Sequence, residues 1–128
     1  MTIEIRTGFN LNGTVKYEKS FLNDKPCGTW KFYFEDGKIQ EEVSYDEQGL
    51  MTGVWKLWHP NNVLFTESSF KDGERHGMTR EWYENGKIQH EANYENGEIK
   101  GIARNWSEKG TLLSEKFYYG IKNDNDYV

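Results

Sequence analysis

The sequence predicts an all-β protein, an open single-layer antiparallel meander of tandem β-hairpins of about 24 residues each. Three observations predict this fold. Glycines recur at 28, 53, 77 and 101, an apolar-rich segment of six residues follows each, and turns come every 10 to 13 residues. That interval leaves room for two short strands in each copy and none for a helix. A closed barrel or sandwich is the alternative, but similar copies that contact only their neighbours favour an open array.

The first strand of each copy starts at its leading glycine, and a turn dipeptide ends it. The turns are Asp36-Gly37, Asn61-Asn62, Asn85-Gly86 and Lys109-Gly110. Asn-Gly and Asp-Gly are preferred at the centre of type I′ hairpin turns, and Asn is the next best residue there. We therefore expect tight two-residue hairpins at these sites.

The second strand of each copy runs from an aliphatic residue to an aromatic one, and a second turn leads to the next copy. These strand limits are Ile39 to Tyr45, Leu64 to Phe70, Ile88 to Tyr94 and Leu112 to Tyr118. The whole chain, 1–128, is predicted to be one repeat domain: a leading half repeat at 12–27, full repeats at 28–52, 53–76, 77–100 and 101–120, and a polar tail at 121–128.

Alternation along the strands assigns side chains to the two faces of the sheet. One face of the first strands carries Trp30, Phe32, Trp55 and Leu57 in the first two copies, and polar residues in the last two. This gradient indicates a binding patch, with self-association and ordinary packing as alternatives. In the second strand we expect Ile39, Val43 and Tyr45 to share one face.

The opposite face of the first strands carries a basic residue and then an aromatic residue in every copy. A glutamate also recurs five residues after each turn. The basic row is Lys31, Lys56, Arg80 and Arg104, and the aromatic row is Tyr33, Trp58, Trp82 and Trp106. The glutamate row is Glu18, Glu42, Glu67, Glu91 and Glu115. An acidic ladder for a basic partner or a metal is one interpretation. We favour a structural interpretation, either cross-strand pairing of the two charged rows or bonding of the glutamates to turn amides, because a residue that recurs in every unit usually serves the unit.

The charge balance restricts the partners. With 21 acidic and 16 basic residues the net charge is −5, which disfavours nucleic acid and anionic membranes and suits a basic protein partner. The single cysteine, Cys27, precludes an intrachain disulfide and suits a reducing compartment. The N-terminal residues have no apolar run and do not resemble a signal peptide, so we expect a cytoplasmic protein.

No residue pattern indicates catalysis, a cofactor or a metal. The three histidines, His59, His76 and His90, occupy unrelated repeat positions and lack partners at metal-ligand spacing. The glycines are all explained by turns, so no phosphate-binding loop is present. We expect a protein that is not an enzyme and that needs neither a cofactor nor a metal.

The clearest copy, 77–97, reads GMTREWYENGKIQHEANYENG. This unit resembles the MORN repeat in its bacterial variant form, and the group often labelled YwqK-family antitoxins. The resemblance covers about 85% of the chain and departs from the pattern at Asn62, Thr79 and Ala103. It implies a β-hairpin array that binds other molecules, and in bacteria an association with toxin neutralisation.

The prediction is a non-catalytic antitoxin or immunity protein that blocks a cognate basic toxin by steric binding. A general interaction scaffold or self-associating array is the alternative, and a lipid adaptor is disfavoured by the negative charge. Hot spots favour aromatic anchors. The predicted partner-binding residues are Trp30, Phe32, Trp55, Trp58, Glu81, Trp82, Glu84 and Trp106.

Overall fold

The computed structural model describes residues 2–119, and within that range the chain is one antiparallel sheet without helices. Its strands follow one another in chain order, apart from the two-residue β3, which pairs only with β2. The strands are β1 (Ile3–Phe9), β2 (Val15–Leu22), β3 (Lys25–Pro26), β4 (Gly28–Tyr33), β5 (Ile39–Tyr45), β6 (Met51–Trp58), β7 (Leu64–Lys71), β8 (Glu74–Trp82), β9 (Ile88–Glu95), β10 (Glu98–Trp106) and β11 (Leu112–Tyr119). The predicted open meander is confirmed. The polar tail at 121–128 lies outside the described residues.

The turns within each copy differ from the type I′ prediction. In the turn from Tyr83 to Gly86, the amide of Gly86 donates to the carbonyl of Tyr83 at 2.9 Å, and only Gly86 has positive φ, at 84°. Asn85 keeps negative φ, so this is a type I turn followed by a left-handed residue. The same geometry occurs at Asn61-Asn62, where Asn62 takes φ of 70° in place of glycine. The prediction of type I′ turns at these sites was wrong.

Type I′ geometry occurs instead between copies. Both residues of Asp72-Gly73 have positive φ, and so do both of Asn96-Gly97. The turn after β5 is longer, because the amide of Asp46 bonds the carbonyl of Leu50 and leaves three residues in the loop. This one additional loop residue explains why the glycine spacing is 25 there and 24 elsewhere.

A one-residue bulge in the second strand of each copy changes the predicted faces. Phe32 pairs with Glu41 but Tyr33 pairs with Ile39, so Gln40 is the extra residue. Directly opposed residues project from the same face. Ile39 therefore lies on the face of Tyr33, opposite to Val43, and the prediction that Ile39 and Val43 share a face was wrong. The same shift occurs before Trp58, Trp82 and Trp106.

The leading glycines sit in a second irregularity, where pairing with the preceding copy slips by two residues. Between β7 and β8, Ser68 pairs with Thr79 but Phe70 pairs with Arg75. Gly77 lies within this slip at φ of 107°, a conformation that side-chain-bearing residues rarely adopt. Gly28, Gly53 and Gly101 also have positive φ, of 64°, 70° and 85°.

The leading half repeat at 12–27 is completed by β1, which the sequence did not reveal. Thr7 pairs with Glu18, Gly8 with Tyr17 and Phe9 with Val15, which includes the bulge that the other copies have. Counting back 24 residues from Gly28 places Glu4 at the position of the leading glycine. Without that glycine the strand had no recognisable repeat signal.

Burial distinguishes the two faces of the sheet. We call the face that carries Trp30 and Val43 the inner face and the face that carries Lys31 and Glu42 the outer face. Six of the buried residues belong to the inner face: Val43, Thr66, Ser68, Thr79, Ala92 and Ala103. The core is therefore a thin layer of mostly small side chains on one face of a single sheet.

Candidate protein-binding surfaces

The outer face carries a row of alternating charges that crosses nine strands. The register places Lys31 opposite both Glu18 and Glu42, and Arg104 opposite both Glu91 and Glu115. We call this row the charge ladder; in order across the sheet it consists of Glu18, Lys31, Glu42, Lys56, Glu67, Arg80, Glu91, Arg104 and Glu115. Cross-strand pairing, one of the two structural interpretations of the charged rows, is therefore confirmed.

The ladder forms ion pairs at its C-terminal end. The Nε atom of Arg104 lies 2.7 Å from Glu115 Oε2, and its NH1 atom lies 3.2 Å from Glu91 Oε1. Arg80 Nε lies 3.4 Å from Glu91 Oε2. The hydrogen bond to Glu115 raises the pKa of Arg104 above its ordinary value. These solvent-accessible pairs agree with the register of the neighbouring strands and add little to stability.

Aromatic residues border the ladder on the side of the turns within copies. Trp58 pairs with Leu64, Trp82 with Ile88, and Trp106 with Leu112. Each tryptophan is half-buried. These three predicted site residues form one row on the outer face, at a spacing of two strands or roughly 10 Å.

The outer face also holds most of the exposed large apolar side chains. On the side of the turns between copies these include Val54 at 42% exposure, Ile102 at 40% and Phe117 at 46%. Ile102 and Phe117 are directly opposed on β10 and β11. None of these three residues belongs to the predicted binding site. Their alternation with the charge ladder could have identified them, because strand neighbours two residues apart share a face.

On the inner face, Trp30 is a packing residue. Its ring centroid lies 5.1 Å from that of Phe21 and 4.9 Å from that of Tyr45, and its Nε1 donates to the carbonyl of Ser20 at 2.8 Å. Both ends of the indole are thus engaged within the protein. Of the three explanations for the apolar gradient, ordinary packing accounts for Trp30.

The neighbouring inner-face candidates are also held by internal contacts. Phe32 lies 6.5 Å from Trp30 and 6.4 Å from Tyr17, between ring centroids. The Lys19 ammonium lies over the Tyr17 ring at 4.3 Å, where a cation is attracted to the ring face. Trp55 meets Phe70 edge to face at 6.2 Å.

The C-terminal half of the inner face replaces ring contacts with hydrogen bonds. Glu81 Oε2 accepts from Thr66 Oγ1 at 3.5 Å, and Thr79 bonds Ser68 at 2.6 Å. His90 Nδ1 lies 2.9 Å from Asn105 Oδ1. The polar end of the gradient is therefore held by separate cross-strand hydrogen bonds.

The eight predicted site residues do not form one surface. Trp30, Phe32, Trp55 and Glu81 lie on the inner face, and Trp58, Trp82 and Trp106 lie on the outer face. Glu84 lies in the turn from Tyr83 to Gly86, beside a cavity of about 470 Å³ that Glu108 also lines. Its carbonyl accepts a hydrogen bond from Asn61 Nδ2 at 2.9 Å.

The excess negative charge is concentrated at one edge of the molecule. The turns between copies, with the strand ends that flank them, hold seven acidic residues and four basic ones (Lys25, Lys71, Arg75 and Lys100). We call these seven the acidic edge: Asp24, Asp46, Glu47, Asp72, Glu74, Glu95 and Glu98. At the opposite edge, the turns within copies balance four acidic residues, Glu35, Asp36, Glu84 and Glu108, against four lysines, Lys16, Lys38, Lys87 and Lys109.

Two negative observations apply to the part of the chain that the structure describes. Between residues 2 and 119, no three histidine, cysteine, aspartate or glutamate side chains are grouped so that they could hold a metal ion. Over the same range, no helix has the length and apolar character needed to cross a membrane.

The sequence matches the MORN repeat variant model in three consecutive segments, 26–47, 51–72 and 75–96, which together make up just over half of the chain. The chain therefore belongs to the MORN repeat variant family. Each matched segment contains the two strands and the intervening turn of one copy. Membership in this family indicates a repeat protein that binds proteins or membranes. Comparison with curated proteins gives no match to this sequence.

Proposed function

We propose that this chain is a non-catalytic antitoxin or immunity protein that neutralises a basic toxin by steric binding in the cytoplasm. The acidic edge is the observation that carries the proposal. Within residues 2–119 it gathers seven carboxylates against four cationic side chains, while the opposite edge is balanced. A one-sided charge of this kind attracts a basic partner in a preferred orientation and accelerates the encounter.

The outer face supplies the contact area next to that edge. Val54, Ile102 and Phe117 are exposed there, and the row of Trp58 and Trp82 lies across the charge ladder from them. Bound complexes are commonly anchored by aromatic and apolar side chains with charges at the rim. In the proposal the partner is steered by the acidic edge and then covers the outer face, so that its active-site rim is blocked.

A test of the steering step uses two variants with the same net charge. One removes four charges from the acidic edge: Asp24→Asn, Glu47→Gln, Asp72→Asn and Glu95→Gln. The matched control removes four from the opposite edge: Glu35→Gln, Asp36→Asn, Glu84→Gln and Glu108→Gln. Association with the captured partner should slow by about tenfold in the first variant and change little in the second, and high salt should remove the difference.

The antitoxin role itself is tested by expression. Tagged full-length protein should capture one stoichiometric partner from native lysate, and that partner should arrest growth when expressed alone and be silenced by co-expression with this chain. Val54→Glu together with Ile102→Glu should abolish the rescue while the circular dichroism stays of β type. A captured partner without toxicity, or many faint partners, would favour the scaffold alternative.

Self-association is the second candidate function, and the exposed apolar residues of the first and last strands favour it. Ile5 on β1 is 70% exposed and Tyr119 on β11 is 61% exposed. A lipid adaptor is a weaker candidate, because a net charge of −5 opposes binding to anionic membranes.

A further inference from the structure

The two outermost strands of the described sheet present apolar side chains on the same face. On β1, Ile3 is 61% and Ile5 is 70% exposed, and on β11, Phe117 is 46% and Tyr119 is 61% exposed. All four belong to the outer face, since Ile5 opposes Ser20 and Phe117 opposes Ile102. Among residues 2–119, no further strand pairs with the outer edge of either strand. Such an edge is a template for another chain.

The two strands are also of complementary type. β1 is the first strand of a copy, because Thr7 opposes Glu18 as Arg104 opposes Glu115. β11 is the second strand of a copy. Every junction between copies inside the molecule joins a second strand to the first strand that follows it, in a register that opposes the ladder glutamate to the basic position: Glu91 pairs with Arg104, and Glu67 with Arg80.

The internal register can be applied to a junction between molecules. It places Thr7 of a second copy opposite Glu115, because Thr7 and Arg104 hold the same repeat position. The two-residue slip of the internal junctions occurs at a leading glycine, whereas β1 has Glu4 at that position and pairs with β2 without a slip from Ile3 to Gly8. Counting outwards along both regular strands, Ile5 then opposes Phe117 and Ile3 opposes Tyr119. The most exposed apolar side chains of one edge thus meet those of the other edge, on the same face and without any change in the sheet.

We propose that β1 of one copy adds to β11 of another, so that the molecules associate head to tail as a continuation of the repeat array. Backbone hydrogen bonds and the contacts of Ile5 with Phe117 and of Ile3 with Tyr119 hold the junction. On the inner face, the same register sets Lys116 opposite Arg6. The repulsion is reduced because Arg6 Nε already lies 2.7 Å from the carboxylate of Glu4.

After each head-to-tail contact of this kind, the assembly still has one unpaired β1 at one end and one unpaired β11 at the other. It therefore gives chains of more than two molecules unless the rotation closes a ring. A single strand pair buries less than the ~1,200 Å² of a standard interface, which makes the association weak and concentration-dependent.

The test uses one blocked edge at a time in the full-length protein. Ile5→Lys blocks β1, and Phe117→Lys blocks β11; both residues are exposed, so the fold is retained, as circular dichroism will verify. Val54→Lys, on the outer face but in an interior strand, is the matched control. Sedimentation over a wide range of protein concentration gives the average mass of each variant and of mixtures.

The wild type and Val54→Lys should rise past twice the monomer mass of 15.1 kDa as concentration increases. Each edge variant alone should stay at the monomer mass. An equimolar mixture of the two edge variants should reach twice the monomer mass and no more, because only one compatible pair of edges remains. A monomeric wild type would overturn the proposal, and so would a mixture that stays monomeric or edge variants that still associate alone.

Discussion

The indole of Trp55 donates a hydrogen bond from Nε1 to Oε2 of Glu41 at 2.8 Å, across the junction between β5 and β6. The bond joins the second strand of one copy to the first strand of the next. Trp55 also packs edge to face on Phe70 within its own copy. One side chain thus connects three strands of the inner face, which makes Trp55 a structural residue.

Substituting Trp55 separates packing from hydrogen bonding. Trp55→Ala removes the ring and should lower the free energy of unfolding by about 3 kcal/mol, within the usual range for large aromatic truncations. Trp55→Phe keeps a ring beside Phe70 but loses the bond to Glu41, and should cost about 1 kcal/mol. Urea unfolding followed by far-ultraviolet circular dichroism measures both. An unchanged urea midpoint for Trp55→Ala would show that the Trp55 ring does not stabilise the fold.

Asp36→Asn should stabilise the protein. In other copies the amide of the turn asparagine bonds a carbonyl of the next turn: Asn61 Nδ2 to Glu84 at 2.9 Å and Asn85 Nδ2 to Glu108 at 2.9 Å. Asp36 holds the same turn position but its carboxylate cannot donate. An asparagine there should bond the carbonyl of Pro60, 24 residues on, and add about 0.5–1 kcal/mol.

The measurement for Asp36→Asn is again the urea midpoint, with Asp36→Ala as the control that removes the charge without providing a donor. The backbone amide of Lys38 donates to Asp36 Oδ1 at 3.0 Å; the asparagine variant can accept this bond through its amide oxygen, whereas the alanine variant loses it. If the alanine variant is as stable as the asparagine variant, the gain comes from charge removal and the inter-turn bond does not form.

Two leading glycines should differ in their tolerance of alanine. Gly77 has φ of 107°, and a Cβ there would lie 3.3 Å from Ser69 Cβ, whereas Gly53 has φ of 70° and open space around it. A residue at φ near 70° is in the ordinary left-handed region and costs about 1 kcal/mol. Gly77→Ala should cost about 2–3 kcal/mol. Thermal and urea unfolding of the matched pair compares the two, and equal losses would contradict the difference in strain.

Tyr33 gives the fold a dependence on alkaline pH. Its hydroxyl donates to Glu18 Oε1 at 2.6 Å, and this bond, together with partial burial and nearby carboxylates, raises the pKa of Tyr33 to about 12. The folded state therefore retains this proton when the unfolded chain has lost it. The contribution of the Tyr33–Glu18 bond to stability is complete below pH 10, the ordinary tyrosine pKa, and is lost as the pH rises from 10 towards 12.

Two measurements check the Tyr33 assignment. The free energy of unfolding of the wild type should fall more steeply above pH 10 than that of Tyr33→Phe. In an ultraviolet phenolate titration, Glu18→Gln should lower the pKa of the last tyrosine to ionise. A wild type and a Tyr33→Phe variant with the same pH profile would show that the bond to Glu18 does not persist in solution.

Much of the fold follows from local rules that the sequence displays. The glycine period, the turn dipeptides and the alternation of side chains were sufficient to predict the meander, and the recurring glutamates and basic residues predicted the charge ladder. The bulge at Gln40 was not predictable, because one unpaired residue leaves the apolar pattern of its strand unchanged. β1 was missed because Glu4 replaces the glycine that marked the other copies.

The candidate site was only partly predictable. Repeat positions correctly separate Trp30 from Trp58 by face, yet aromatic content alone placed both in the predicted site. Whether an aromatic side chain packs internally depends on its partners, such as Phe21 and Tyr45 beside Trp30, and these come from other strands. Sequence gives a residue's face, whereas the neighbours that occupy that face decide whether it is available to a ligand.

The charge ladder has the same order of signs when it is followed from either end, with Glu67 at its centre. Two sheets laid outer face against outer face around a two-fold axis would therefore bring carboxylate over carboxylate and cation over cation in every row. A displacement by one strand would relieve this repulsion by bringing each carboxylate over a cation. The ladder thus opposes face-to-face stacking of exposed sheets, the step by which single β-sheets pair into cross-β fibrils.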